Sequence, residues 1–162
     1  MGTSHLHAAS SGPTSLWSFA GEWRLSRDIH HGSGVIDRLT GTCLFSKSGP
    51  RLVQDEQGWL ETADGRFEAT RRYVWAEVNG RLDISFADMR PFHSIPLGDA
   101  RPETVHLCPP DRYQVAYDFS AWPEWRTVWT VEGPRKAYRM ESVFSPYLAS
   151  AEPAVHNADN SD

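Results

Sequence analysis

The sequence predicts an all-β fold, a single antiparallel up-and-down β-barrel of eight to ten short strands with a brief helical turn at its N-terminal side. Three observations carry that expectation. Large and polar residues alternate with a period of two through most of the chain. Turn signals rich in Gly, Pro, Asn and Asp recur at intervals of roughly ten residues. No long window shows the 3.6-residue apolar spacing of an amphipathic helix.

Ser15-Leu16-Trp17-Ser18-Phe19 reads as a helical turn, because a Ser hydroxyl is well suited to capping a free backbone N–H. Gly21-Glu22-Trp23 opens the first strand. From Phe67 the odd positions run Phe67, Ala69, Arg71, Tyr73 and Trp75, against Glu68, Thr70 and Arg72 on the opposite face. Residues 111–119 repeat the pattern with Asp111, Tyr113, Val115, Tyr117 and Phe119 on one side. Trp125, Thr127, Trp129 and Val131 share a face, as do Tyr138, Met140, Ser142 and Phe144. Between these runs lie His31-Gly32-Ser33-Gly34, Ser48-Gly49-Pro50, Ala63-Asp64-Gly65, Asn79-Gly80, Pro109-Pro110 and Gly133-Pro134. Asn79-Gly80 predicts a two-residue hairpin, since both residues tolerate positive φ.

A chain of 162 residues suits one domain. The ends, 1–14 and 148–162, are poor in large apolar groups and are expected to be disordered tails around a barrel domain at 15–147. The net charge is -5, yet the tails carry three acids and no base, which leaves the barrel near -2. That balance argues against nucleic acid as a partner, which calls for clustered Lys and Arg. No apolar run is long enough to span a bilayer, and no signal peptide is evident, so the expected location is the cytoplasm with no membrane partner. Cys43 and Cys108 are accordingly expected as reduced thiols. A phosphate-cradling glycine loop and a nucleophile elbow are both missing, which disfavours nucleotide hydrolysis, dinucleotide redox chemistry and serine hydrolysis; no cofactor is expected.

The Gly21-Glu22-Trp23 start resembles the G-x-W opening of lipocalins and other calycins. Asp88-Met89-Arg90-Pro91-Phe92-His93, the stretch His106 to Tyr113, and the stretch Trp129 to Tyr138 together resemble an uncharacterised lipocalin-like domain family. That resemblance implies a calycin barrel whose helical turn closes one end, with Trp23 beneath the floor and a cation from the last strand, Arg139 or Lys136, over its indole. It implies no activity.

Arg71 is the most informative single residue, because alternation points its guanidinium inwards beside Phe67, Ala69, Tyr73 and Trp75. One expectation is an internal salt bridge to Asp111 or Glu56; the other is an anchor for a ligand carboxylate or enolate. Trp75, Trp125, Trp129, Tyr73 and Tyr138 would line the same interior, either as core or as pocket walls. Asp88 and Arg90 flank a turn at the barrel mouth, where they pair with each other or reach a ligand. His106 and Cys108 share a strand face, and with His93 they raise a zinc cluster; no tight ligand pair is present, so no metal is expected. Each histidine is expected either as a hydrogen-bonded structural residue or, with Tyr113 and Asp111 to orient it, as an acid or base, His106 or His93. His30-His31 is expected to be solvated at a hairpin tip.

Three functions fit these residues. The first is a binding protein for a small, partly apolar, anionic molecule. The second is a cofactor-free acid–base enzyme, of isomerase, cyclase or decarboxylase type, that uses His, Tyr and Arg in the same cavity. The third is a protein-interaction module with a packed barrel. The first two call for a pocket of roughly 300 Å³ or more.

Overall fold

Alternation is realised as ten antiparallel strands, and the computed structural model describes residues 12–147. A 3-10 turn at Leu16–Phe19 precedes β1 (Gly21–His31), β2 (Ile36–Ser48), β3 (Arg51–Thr62), β4 (Gly65–Val78) and β5 (Arg81–Phe86). Beyond them come β6 (Pro91–Pro96), β7 (Glu103–Cys108), β8 (Asp111–Asp118), β9 (Trp125–Glu132) and β10 (Ala137–Pro146). The ladder order is β6-β5-β4-β3-β2-β1-β10-β9-β8-β7, so every neighbour is sequence-adjacent except β1 and β10. β6 and β7 come together without ladder pairing, which leaves a seam in an otherwise closed barrel. The expected tails fall outside the described residues except for 12–14, where Pro13 is buried and its carbonyl accepts from Gly98 N at 3.4 Å.

The N-terminal turn closes one end. Ser15 caps it by accepting from Trp17 N at 3.2 Å, and the Leu16 N–H donates to Glu77 Oε1 at 3.0 Å. Phe19 is wholly buried against Trp75, Trp122 and Trp125, with ring centres 4.9–5.4 Å away. Trp23 donates its indole N–H to the Phe19 carbonyl at 2.9 Å, which ties the first strand to this floor. The cation expected over Trp23 is not there. The register puts Arg139 opposite His30, at the far end of β10 from the Trp23–Pro146 pair, and Arg139 bonds Glu141 on the surface. Lys136 lies near Asp111, 3.6 Å away. Trp23 packs against the rings of Trp122 and Trp125 instead.

Two local irregularities shape the interior. Gly41 and Gly58 face each other across β2 and β3, where the strands approach so closely that a Cβ at Gly41 would lie 2.0 Å from the Gln57 carbonyl oxygen. On β6 the pairing jumps from Ile84–His93 to Ser85–Pro91, so Phe92 is the extra residue of a β-bulge. The bulge turns two consecutive side chains, Phe92 and His93, into the barrel.

β4 pairs with β3 along its whole length but with β5 only over Tyr73–Val78. Gly65–Arg72 is therefore a free edge beside the β5–β6 turn, at the end opposite the 3-10 turn. The edge carries Arg66, Glu68, Arg71 and Arg72, charges of the kind that discourage edge-to-edge pairing.

Candidate functional site

The barrel middle holds a polar layer. Arg27 and Glu56 are each only 5% exposed and form a bidentate pair, Nη1 to Oε1 and Nη2 to Oε2, both at 2.9 Å. Arg27 Nε donates to Ser142 Oγ at 2.7 Å, and Gln54 Nε2 donates to Glu56 Oε2 at 3.2 Å. Trp75 donates its indole N–H to Gln54 Oε1 at 2.7 Å. Burying a carboxylate and a guanidinium together is tolerable only when their polar atoms are met in this way. Sequence reasoning passed over Arg27 and offered Glu56 only as a partner for Arg71, although Trp23-x-Leu25-x-Arg27 and Leu52-x-Gln54-x-Glu56 carry the same alternation that flagged Arg71.

Next to this layer, His93 Nε2 lies 2.6 Å from Tyr117 Oη. Burial, and then the charge of His106, lower the His93 pKa to about 3, so the ring is neutral at physiological pH. Burial likewise raises the Tyr117 phenol. The chamber between these groups is small, about 20 Å³, and its lining includes Arg27, Glu56, Tyr73, His93, Trp125 and Trp129. That holds a single water-sized atom. Trp75 and Trp125, 2% and 1% exposed, are thus packed in the core, with Trp125 stacked on Phe144 at 3.9 Å between ring centres.

A roomier site lies at the free edge of β4. A cleft of about 380 Å³ is lined by Arg71, Arg72, Tyr73, Phe86, Ala87, Asp88 and Arg90. It thus gathers four residues singled out from the sequence: Arg71, Tyr73, Asp88 and Arg90. Glu56 stands opposite Arg71 in the β3–β4 register, but Arg27 occupies both of its oxygens. Asp111, the other expected partner, is near Lys136. Arg71 accordingly has no carboxylate partner among the described residues. Its side chain is exposed, donates to Tyr73 Oη at 3.4 Å, and lies 6.0 Å from the Trp129 ring centre.

The other charges of the cleft are paired. Arg72 Nε bonds Asp55 Oδ1 and Arg90 Nε bonds Asp88 Oδ2, both at 2.6 Å. Asp88 also accepts from Arg90 N at 3.1 Å, and that backbone bond, with the Arg90 side chain, holds its carboxyl below the usual carboxylate range. A carboxylate held in this way is a poor proton acceptor. Arg90 in turn lies 5.5 Å from the centre of the Phe86 ring.

The remaining candidates lie across the seam. His106 is paired in register with Tyr113, their ring centres 6.0 Å apart. Its imidazole meets Phe92 edge-on at 5.3 Å, and Phe92 also contacts Tyr113 and Trp129. The partner of His93 is therefore Tyr117 and not Tyr113. Tyr138 is half-buried on β10 opposite Val131 and His31. His31 is not simply solvated, because its Nε2 lies 2.7 Å from Asp37 Oδ2. Cys108 is exposed at the end of β7, and no group of three or more His, Cys, Asp or Glu with metal-binding geometry exists among the described residues.

Comparison with known proteins bears on the fold. No curated protein matches the sequence. An S-type phycobiliprotein lyase from Guillardia theta is similar in structure at 10% identity, with a TM-score of 0.57 over 80% of this chain and 87% of the lyase. A de novo designed fluorescence-activating β-barrel aligns at 12% identity, with a TM-score of 0.41 over 83% of this chain and 98% of the design. No helix among the described residues is long and apolar enough to cross a membrane. The family of unknown function DUF6314 matches residues 19–146, the whole barrel from the last residue of the 3-10 turn to the end of β10. The chain belongs to that family of unknown function, and its barrel shares its fold with the lyase.

Proposed function

We propose that the protein binds a small, partly apolar anion in the cleft between the free edge of β4 and the β5–β6 turn. The observation that carries this reading is Arg71, an exposed residue whose part-buried guanidinium has no carboxylate partner among the described residues, in a cleft lined by three arginines and one aspartate, on a chain of net charge -5. Arg presents a planar fork that meets a carboxylate or similar anion with two hydrogen bonds. Tyr73 and Phe86 supply flat apolar walls, and Trp129 backs the guanidinium. The cleft exceeds the roughly 300 Å³ of a small-ligand site, whereas the inner chamber does not. The two free cysteines suit a reducing compartment such as the cytoplasm.

A proton-transfer role for His93 is less well supported, because a ring with a pKa of about 3 is a weak base at neutral pH. The binding reading is tested with two fluorescent probes of similar aromatic size, anilinonaphthalene sulfonate as the anion and N-phenylnaphthylamine as the neutral control. Arg71→Met should weaken the sulfonate about tenfold, the worth of one charge-assisted contact at a partly solvated site, and leave the neutral probe unchanged. Equal sulfonate affinity in the two proteins would remove Arg71 as the anchor.

A further inference from the structure

The polar layer leaves two buried nitrogens without a protein partner among the described residues, Trp125 Nε1 and His93 Nδ1. Trp125 is 1% exposed and His93 8%, and both line the same 20 Å³ chamber. A buried polar group with no hydrogen bond is costly, and two residues that each carry one line the same chamber, which points to an occupant.

The chemistry of the walls narrows what that occupant is. An indole N–H only donates, so the occupant must offer an acceptor. The imidazole Nδ1 either accepts or donates, according to which way the proton lies in the Nε2–Tyr117 bond. A hydroxyl oxygen meets both cases, and a carbonyl oxygen meets the second. Arg27 and Glu56 already neutralise each other, so the chamber offers no free charge to hold an ion. The volume admits one oxygen atom and little more.

Tyr73 and Phe92 lie where the chamber and the cleft adjoin. Tyr73 borders both spaces. Phe92, the bulged residue of β6, lines the chamber and stacks on Phe86 of the cleft at 4.7 Å between ring centres. We propose that the chamber is a second subsite that holds one neutral oxygen between Trp125 and His93, supplied by water or by a hydroxyl or carbonyl of a ligand seated in the cleft. The ligand half rests on the reading under Proposed function; the water half does not.

The test follows the indole N–H signals of protein carrying 15N-labelled tryptophan, with Trp125→Phe identifying the Trp125 resonance. In the unliganded wild type, the Trp125 indole proton should show a nuclear Overhauser contact to a long-lived water. In Phe92→Ala, which should enlarge the chamber on the side of Phe86, phenol should bind about fivefold more tightly than benzene, as one neutral hydrogen bond predicts, and should shift the Trp125 signal. Phe92→Leu serves if the alanine variant does not fold. The preference for phenol should vanish when Trp125→Phe is added. Neither a water contact nor a phenol preference would overturn the subsite. A water contact with equal phenol and benzene affinity would keep the oxygen site and refute its use by a ligand. Phenol is uncharged, so Arg71→Met should not alter its affinity. Loss of sulfonate selectivity at the cleft with the phenol preference intact would therefore fail the anion reading alone.

Discussion

Breaking the Arg27–Glu56 pair should be among the most damaging single changes in the barrel. In Arg27→Met the apolar stem is kept, but Glu56 loses two hydrogen bonds of 2.9 Å and Ser142 loses one of 2.7 Å. Only the 3.2 Å bond from Gln54 remains on a carboxylate that is 5% exposed. Removing one partner of a buried pair typically costs about 3–5 kcal/mol. For a domain of this size that corresponds to a fall in Tm of roughly 10–20 °C. The double variant Arg27→Met/Glu56→Leu removes both charges and should recover most of the loss, because buried ion pairs give little net stability over apolar replacements. Thermal and urea melts of the two single variants, the double variant and the wild type measure the whole cycle. A loss under about 1 kcal/mol in Arg27→Met, or a double variant as unstable as the worse single one, would refute the buried-pair reasoning.

Other perturbations have equally definite outcomes. His93 has a folded pKa of about 3 against about 6.5 when unfolded, so the unfolded state takes up more protons and stability should fall as pH drops from 6.5 towards 3. His93→Leu should flatten that acid limb in melts between pH 7 and pH 4, and an unchanged slope would contradict the assignment. Burial raises the Cys43 thiol, whereas Cys108 is exposed, so a thiol reagent should titrate one cysteine in the native protein and two in denaturant. Rapid native reaction of both would place Cys43 elsewhere. Gly41→Ala drives a Cβ to within 2.0 Å of the Gln57 carbonyl oxygen, a backbone clash that only strand movement relieves. It should cost about 3 kcal/mol or more, read as the loss of folded protein or a lowered urea midpoint.

Much of the barrel was legible in the sequence because a sheet with one buried face writes its register into alternate residues. Trp125-x-Thr127-x-Trp129 and Tyr138-x-Met140-x-Ser142-x-Phe144 point inwards as their pattern predicts. Asn79-Gly80 turns with φ of 50° and 74° as its residue types require. Alternation could not show how far each strand stays paired. Arg71 occupies an inward register position, yet β5 stops pairing at Tyr73, so its guanidinium emerges at a free edge. The bulge at Phe92 was equally hidden, because one inserted residue reverses the facing of the residues beyond it and brings His93 to Tyr117. Competition also lies beyond a single strand. Glu56 stood within register of Arg71, and only the fold reveals that Arg27, 29 residues away in sequence, takes both of its oxygens.

The central claim is that the cleft beside β4 holds a small anion through Arg71. Native mass spectrometry of wild-type and Arg71→Met protein, each purified from the natural host, tests it most directly. An anionic, aromatic-compatible small molecule is expected on the wild type, and its loss from a folded Arg71→Met variant. Retention of the same molecule at full occupancy by Arg71→Met would contradict it.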